Sequence, residues 1–266
     1  MDTTDLNKPI EKFLSLFGQK ILRFFKGTGS LALLCKSIIL SIPMAVKRRH
    51  LVVEQMVFMG VNSLPLVIFT SVFTGAVSAV QAAYQFQGYV PLRYLGTAVG
   101  KAVVIELGPV LTALVVAGRV GAAIAAELGT MKVTEQIDAL ETMALDPVEF
   151  LVMPRYLAGL VMLPILTIFS DFVAILGGLA VSVWFVNITS YTFLNGLKAF
   201  FELQDLFAGL LKACIFGSII AIIGCYQGFI TEGGAEGVGS STTKAVVLSS
   251  VLILVSDYMI AHLLFG

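Results

Sequence analysis

Residues 106–154 read ELGPVLTALVVAGRVGAAIAAELGTMKVTEQIDALETMALDPVEFLVMP, and the fold depends on this stretch. It begins within an apolar run that carries Glu106, a Gly108-Pro109 break and Arg119. The apolar run ends near Glu127–Gly129, a short polar amphipathic segment follows, and apolar sequence then resumes. A membrane span that continues into a polar helix predicts a membrane protein to which a soluble protein can bind on one side of the bilayer.

The composition of the whole chain also indicates a membrane protein. Of the 266 residues, 58% are hydrophobic and 13% are charged, and the mean hydropathy is +0.94. Soluble domains average about 45–50% apolar and about 25% charged residues, so the excess apolar surface has to face lipid. The formal net charge of +0 gives no indication of a nucleic-acid partner. The three cysteines and two histidines lack disulfide or metal-site spacing, and we expect no cofactor in this chain.

Several apolar segments are long enough to cross a bilayer, which takes about 20 residues. We predict spans at about residues 51–87, 95–128, 156–187, 206–230 and 245–265. The third segment has one candidate hairpin turn, Gly177-Gly178, but two helices would need ~40 apolar residues, so a single tilted span is favoured. Residues 189–205 predict a short amphipathic helix on the far surface. The Gly-rich stretch Thr231–Lys244 lacks a phosphate-binding signature and predicts a flexible cytoplasmic connection.

Residues 1–50 predict N-terminal interfacial and elbow helices in front of a single transmembrane domain at residues 51–266. Polar residues recur at helical spacing from Lys8 to Lys26, opposite a Phe/Leu/Ile face, which is typical of a helix lying in the membrane interface. Residues 31–46 are apolar but too short for a span, so we predict an elbow there. Most basic residues fall on one side of the predicted spans. This bias puts the N-terminus in the cytoplasm and the C-terminus on the periplasmic side.

Charged residues also lie deep inside the predicted spans, where a side chain facing lipid would cost about 2.5–3.5 kcal/mol. Glu106, Lys212 and Asp257 come out roughly 10–16 Å from the outer ends of their helices, at a rise of ~1.5 Å per residue. Their similar depth predicts a cluster of two carboxylates around one ammonium group. Arg119 and Asp171 lie deeper and predict a second pair. Both an ion-pair role and a role in lining a substrate path stay open for the outer cluster.

Residues 134–145 predict a cytoplasmic helix between the second and third spans. Thr134 can cap its N-terminus, Glu135 suits the helix dipole, and Asp146-Pro147 ends it. An apolar stripe runs along this helix and consists of Ile137, Leu140 and Ala144. The stripe needs a cover, which is either the chain's own interfacial helix or a groove on a soluble partner.

The stretch from Glu106 to Arg155 closely resembles the signature of the MlaE/YrbE permeases, and the span pattern agrees across nearly the whole chain. These permeases are the membrane subunits of ABC systems that move phospholipids between the inner and outer membranes of double-membrane bacteria. The resemblance implies a permease homodimer in the inner membrane, with its lipid cavity between the two copies near the first, second and fifth spans. It also implies a cytoplasmic ABC ATPase pair that holds ATP and Mg²⁺, a periplasmic ring of MCE-domain proteins and, in some systems, a STAS-domain protein.

By the same resemblance, residues 134–145 are the coupling helix that docks on the ATPase. The residues expected to make this contact are Glu135, Gln136, Ile137, Asp138, Leu140 and Glu141. One position departs from the family, since Ile105 stands where many relatives carry Arg immediately before the Glu-Leu-Gly-Pro motif. This departure makes Lys212 the expected partner of Asp257.

The sequence therefore predicts an all-α integral membrane protein with an N-terminal interfacial helix, five transmembrane helices, a cytoplasmic coupling helix and a short periplasmic helix. The expected function is the non-catalytic permease subunit of an ATP-driven phospholipid transporter. The alternative is an ion- or proton-coupled secondary transporter that uses Glu106, Asp171 and Asp257 as proton carriers. Such transporters are often built from inverted repeats, and no convincing internal repeat is found. An intramembrane enzyme is disfavoured, because the chain has no Ser/His, HExxH or paired-Asp constellation.

Overall fold

The computed structural model describes residues 29–41 and 48–266, and the secondary structure in these ranges is helical, without β-strands. Five helices are long and apolar enough to cross a membrane, which confirms the predicted all-α membrane protein. The spans are Arg49–Phe86, Leu92–Val133, Val148–Trp184, Leu203–Phe229 and Gly234–Phe265. The predicted interfacial helix at residues 8–26 lies outside the described residues.

Shorter helices connect these spans or form parts of them. In chain order the α-helices are α1 (Gly29–Ser41), α2 (Arg49–Met59), α3 (Leu64–Phe86), α4 (Leu95–Ala102), α5 (Gly108–Val116), α6 (Ala122–Val133), α7 (Gln136–Thr142), α8 (Met153–Trp184), α9 (Ser190–Ala199), α10 (Leu203–Phe229) and α11 (Gly234–Phe265). The α7 helix follows the second span at one end of the molecule, and α9 packs against α4 at the other. These two ends are called the α7 end and the α9 end below.

The third span crosses as one helix. The α8 helix continues through Gly177-Gly178 without a turn, which confirms the preference for a single span. Glycines let α3 and α8 approach closely, since a Cβ on Gly75 would overlap the Ala174 carbonyl and a Cβ on Gly177 would lie 2.5 Å from the Val72 carbonyl oxygen. Contact at this distance provides the van der Waals attraction that holds helices together in lipid.

The second span absorbs Gly108-Pro109 without breaking. Pro109 has no N–H to donate, and its ring crowds the preceding turn of helix. The five residues Val103–Leu107 widen into a π-helical turn, after which α5 begins at Gly108. A second π-helical turn, Ala117–Gly121, carries Arg119. The predicted break is therefore a widened turn within a continuous span, and widened turns of this kind are frequent at functional sites.

The second and fourth spans form the centre of the bundle, and the first and fifth spans lie at its edges. In the most apolar part of each helix, 56% of the second span is buried inside the chain but only 11% of the fifth. The outward side of α11 carries large apolar side chains, among them Val247, Val251, Leu254, Tyr258 and Met259. The fifth span therefore depends on lipid or on another chain to cover most of its surface.

The stretch Thr231–Lys244 is not the flexible connection that the sequence predicts. Only residues 230–233 join the fourth and fifth spans, because α10 ends at Phe229 and α11 already begins at Gly234. Glu236 lies in the first turn of α11, where a negative charge suits the helix dipole. The hydroxyl groups of Thr242 and Thr243 donate to the Gly239 carbonyl, so this polar sequence is accommodated in a helix.

Candidate functional site

Lys212 lies at the centre of a charged cluster that joins the second, fourth and fifth spans. Its ammonium group is bonded to the Glu106 carboxylate and lies 2.8 Å from Asp257 Oδ1. The predicted clustering of Glu106, Lys212 and Asp257 is therefore found in the structure. Their place on a substrate path stays a prediction. The side chain of Lys212 is 0% exposed, that of Asp257 14% and that of Glu106 45%. Glu106 is therefore the member that an outside molecule can reach.

An apolar groove opens between the first and second spans. Its volume is about 620 Å³, which lies within the range of about 300–1,000 Å³ found for small-molecule sites. The second span contributes Leu107, Leu111 and Val115, and Leu107 directly follows Glu106 in the chain. The first span contributes Phe69, Thr70, Phe73, Thr74, Val77, Ser78 and Gln81. The charged cluster and the groove therefore share one turn of the second span.

Hydroxyl side chains recur along the α3 wall of this groove. Thr70, Thr74 and Ser78 are four residues apart, which places them on one face of the helix. Thr70 Oγ1 donates to the Leu66 and Val67 carbonyls, and Thr74 Oγ1 donates to the Thr70 carbonyl. These two donors are satisfied within the helix, so the wall accepts an apolar chain while it keeps weakly polar oxygens. The four-residue spacing is the sequence signal that could have revealed this face.

Arg119 and Asp171 do not form the predicted pair, and that prediction is wrong. Arg119 Nη1 instead donates to Ser63 Oγ at 2.6 Å and to the Phe58 carbonyl at 3.3 Å. Asp171 Oδ1 lies against Gly108, where a Cβ would overlap it, and this oxygen has no hydrogen-bond partner among the described residues. The depth of two residues along their helices does not determine which helix faces meet, and this is why the pairing failed.

The helix between the second and third spans is shorter than residues 134–145 and begins later. It consists of Gln136–Thr142. The Thr134 hydroxyl does not cap it, because that hydroxyl donates to the Thr130 carbonyl at the end of α6. The chain turns instead at Glu135, which adopts a left-handed conformation with φ of 60°. The predicted capping role of Thr134 is therefore wrong, although a helix is present.

The predicted apolar stripe of α7 faces its own chain only in part. Ile137 is buried, Leu140 is half-buried and Ala144 is exposed. Ile137 lines a cavity of about 270 Å³ together with Leu34, Lys132, Glu141, Asp146, Pro147, Val148 and Phe229. The remaining predicted coupling residues are exposed, namely Glu135, Gln136, Asp138 and Glu141. The outward face of α7 is therefore its acidic face.

Ion pairs tie the span ends together around α7. Lys132 Nζ lies 2.7 Å from Asp138 Oδ1, which attaches α7 to the end of the second span. The buried Arg155 lies 2.8 Å from Glu127 Oε2 and joins the third span to the second. A further pair joins the starts of the first and third spans, between Arg48 and Glu149 at 3.2 Å. These three pairs were not predicted from the sequence.

Comparison with known proteins gives one family. The family model described as "Permease MlaE" matches residues 52–263, which extend from the first span to the fifth. A probable ABC transporter permease protein of Rickettsia typhi is 43% identical over 251 residues, which cover 94% of this chain and 97% of that protein. A probable ABC transporter permease protein of Synechocystis is 44% identical over 252 residues, 95% of this chain and 93% of that protein. The intermembrane phospholipid transport system permease protein MlaE of Haemophilus influenzae is 32% identical over 258 residues, 97% of this chain and 99% of that protein.

Proposed function

The chain belongs to the MlaE permease family and is an ABC transporter permease, and from this premise we propose that it moves phospholipids between the inner and outer membranes of a double-membrane bacterium. The observation that carries the proposal is the charged cluster around Lys212 beside an apolar groove. A phospholipid has apolar acyl chains and a charged headgroup. The groove suits the acyl chains, and the charged cluster suits the headgroup. The similarity to the phospholipid transport permease of Haemophilus influenzae over 97% of the chain supports the same function.

In this proposal the groove holds an acyl chain and the cluster meets the headgroup. The groove wall is formed by apolar side chains and by threonine hydroxyls whose protons are already bonded within α3. The half-exposed Glu106 carboxylate can accept hydrogen bonds from ammonium or hydroxyl groups of a headgroup. Lys212 cannot be reached directly, since its side chain is fully buried. It acts by holding Glu106 and Asp257 in place.

The power for transport comes from a partner ABC ATPase that binds ATP and Mg²⁺ and docks on α7. The exposed side of α7 carries Glu135, Asp138 and Glu141, and we expect it to meet a basic surface on the ATPase. The contact is therefore expected to be mainly electrostatic, because Ile137 is already buried in its own chain.

A second copy of the chain completes the lipid cavity in this proposal. The fifth span has little cover within the chain, and Gly118 on the second span has open space where a Cβ would stand. Small residues on such surfaces let helices of two copies approach closely in lipid. The N-terminus and α7 face the cytoplasm, and the C-terminus and α9 face the periplasm. A ring of MCE-domain proteins would exchange lipid there, and a STAS-domain protein is a further candidate partner on the ATPase side.

Charge reversal on α7 tests the coupling. The variant Glu135→Lys/Glu141→Lys leaves the Lys132–Asp138 pair intact, and we expect the ATPase no longer to co-purify with it. The control is Glu232→Lys/Glu236→Lys, which makes the same charge change at exposed residues of the connection between the fourth and fifth spans and the start of α11. Equal ATPase recovery from both variants and the unaltered protein would contradict docking through α7.

Transport itself is measured with a fluorescent phospholipid in proteoliposomes that contain the co-purified complex. We expect movement of the lipid only when ATP is present and hydrolysed. Lipid or ion movement driven by a pH gradient, without any ATPase, would favour the alternative of an ion-coupled secondary transporter.

A further inference from the structure

A pocket of about 440 Å³, lined by both polar and apolar side chains, lies at the α9 end and shares no lining residue with the groove or the charged cluster. Arg93 and Tyr94 contribute to it from the turn before α4, and Tyr191, Thr192 and Asn195 contribute from α9. The apolar part of the wall consists of Gly196, Ala199 and Phe200. The lining contains no aspartate or glutamate, so Arg93 gives this pocket a net positive charge.

Tyr94 holds the Arg93 guanidinium in place. Arg93 Nη2 donates to Tyr94 Oη at 2.8 Å, and Arg93 Cζ lies 4.7 Å from the centre of the Tyr94 ring. Since Tyr94 Oη accepts this bond, its own proton is available to a ligand. The Tyr94 ring in turn lies 6.0 Å from the ring of Phe200, measured between centroids. The cationic group is therefore positioned before any ligand arrives, which lowers the entropic cost of binding.

The turn that carries Arg93 and Tyr94, together with the α4 helix that follows it, meets α9 backbone to backbone. A Cβ on Gly96 would overlap the Phe193 carbonyl, and a Cβ on Gly196 would overlap the Arg93 carbonyl. Thr97 Oγ1 donates to the Gly196 carbonyl at 2.5 Å. The turn before α4 and the α9 helix are thus held at a fixed backbone distance from each other on the two sides of the pocket.

Exposed aromatic residues surround this end of the molecule. The most exposed of them are Tyr84, Tyr89, Trp184, Phe185 and Tyr191. Aromatic belts of this kind mark the boundary between bilayer and water, which is the depth of the lipid phosphate groups. The surroundings of the pocket therefore favour a lipid over a soluble protein as the ligand.

We propose that this pocket binds the phosphate group of a phospholipid in the adjacent leaflet, at a site separate from the transport path. The planar guanidinium of Arg93 matches two phosphate oxygens, as arginine does in many phosphate sites. The Tyr94 hydroxyl and the Asn195 amide supply further donors, while Ala199 and Phe200 contact the apolar part of the lipid. A lipid bound here would attach α9 to the bilayer whether or not the protein transports lipid. This proposal is therefore independent of the transport function proposed above.

Calorimetric titration of the full-length protein in a non-ionic detergent tests the site. The probes are dihexanoyl phosphatidylglycerol, dihexanoylglycerol without the phosphate, and inorganic phosphate. We expect Arg93→Gln to weaken binding of the phosphatidylglycerol about tenfold or more, because charge-assisted hydrogen bonds are lost. We expect a loss of about threefold or more for Asn195→Ala. Lys198→Gln is the matched control, since Lys198 is exposed on the same helix but does not line the pocket.

Four outcomes would overturn the proposal. Equal weakening by Lys198→Gln would show a general charge effect, and equal affinity for dihexanoylglycerol would show that no phosphate is recognised. Inorganic phosphate that binds as tightly as the phospholipid would reassign the pocket to a free anion. Unchanged lipid binding by Arg93→Gln, together with loss of a co-purifying protein, would assign the pocket to a protein contact instead.

Discussion

The variant Lys212→Met removes the positive charge at the centre of the cluster and keeps an unbranched side chain of similar length. In the structure the side chain of Lys212 is 0% exposed and its ammonium group pairs with two carboxylates. After the substitution, Asp257 remains 14% exposed with a negative charge and no compensating partner in the cluster. Glu106 is 45% exposed and can regain water more easily. The variant should therefore be strongly destabilised, and the three members of the cluster should differ in their contributions.

The magnitude follows from the burial of each partner. Removal of one partner from a buried ion pair costs about 3–5 kcal/mol of unfolding free energy, because a charge is left uncompensated. For a chain of this size about 1 kcal/mol corresponds to a Tm shift of about 2–4 °C, so Lys212→Met should lower Tm by about 10 °C. Asp257→Asn should have a smaller effect. Glu106→Gln should have the smallest, about 1 kcal/mol or less, because its pair with Lys212 is partly screened by solvent.

Thermal unfolding in detergent, followed with a thiol-reactive dye in a Cys35→Ser/Cys214→Ser background, measures these shifts, because the remaining Cys225 on the fourth span is buried in the folded protein while the other two thiols are partly exposed. The matched control is the triple variant Lys212→Met/Glu106→Gln/Asp257→Asn, which removes all three charges with little change in shape. Recovery of most of the lost Tm is expected, since no buried charge is then left unpaired. A triple variant as unstable as Lys212→Met alone, or a Lys212→Met variant within about 2 °C of the unaltered protein, would refute the reasoning.

The same dye assay checks two further predictions. Gly108→Ala should cost about 1–3 kcal/mol, because its Cβ would overlap the Asp171 carboxylate. Gly239→Ala, which enters open space on α11, is the control, and equal losses in both would contradict the steric cause. Arg155→Met should cost about 1–3 kcal/mol, because the bonds of the buried Arg155 to the Leu151 carbonyl and to Glu127 are lost, while Glu127 is 51% exposed and regains water. Lys132→Gln, which breaks an exposed pair, should cost about 1 kcal/mol or less, and equal Tm shifts would refute the role of burial.

The elements that the sequence predicted well are those that the bilayer itself dictates. A span must be apolar over about 20 residues, so hydropathy alone located the five long helices. Buried charges in lipid must find partners, so the similar depth of Glu106, Lys212 and Asp257 was enough to group them. In both cases the cost of exposing polar or charged groups to lipid excludes most other arrangements, so the sequence pattern predicts the correct one.

The errors concern features that this solvation cost does not decide, and the depth argument that grouped the Lys212 cluster failed for Arg119 and Asp171. The partner of Arg119 depends on helix rotation, and in the structure two uncharged oxygens of the first span accept its hydrogen bonds. Outside the bilayer, Gly- and Ser-rich sequence is compatible with either a loop or a helix, and α11 extends through residues 234–244 because its hydroxyls bond to its own carbonyls. The start of α7 was misplaced because Thr134 had a second available acceptor in α6.

The ion pairs around α7 determine where an applied force would act. Three pairs connect α7 and the starts or ends of the first, second and third spans at this end, namely Lys132–Asp138, Glu127–Arg155 and Arg48–Glu149. If an ATPase docks on α7 as proposed, we expect a displacement of α7 to reach the second span through Lys132–Asp138 and the third span through Glu127–Arg155. The fifth span has no ion pair at the α7 end among the described residues, and Asp257 links it by charge to Lys212 instead. Relative movement would then concentrate at the Lys212 cluster, next to the half-exposed Glu106. Variants of this cluster that still fold should therefore hydrolyse ATP through the partner while moving less lipid per ATP.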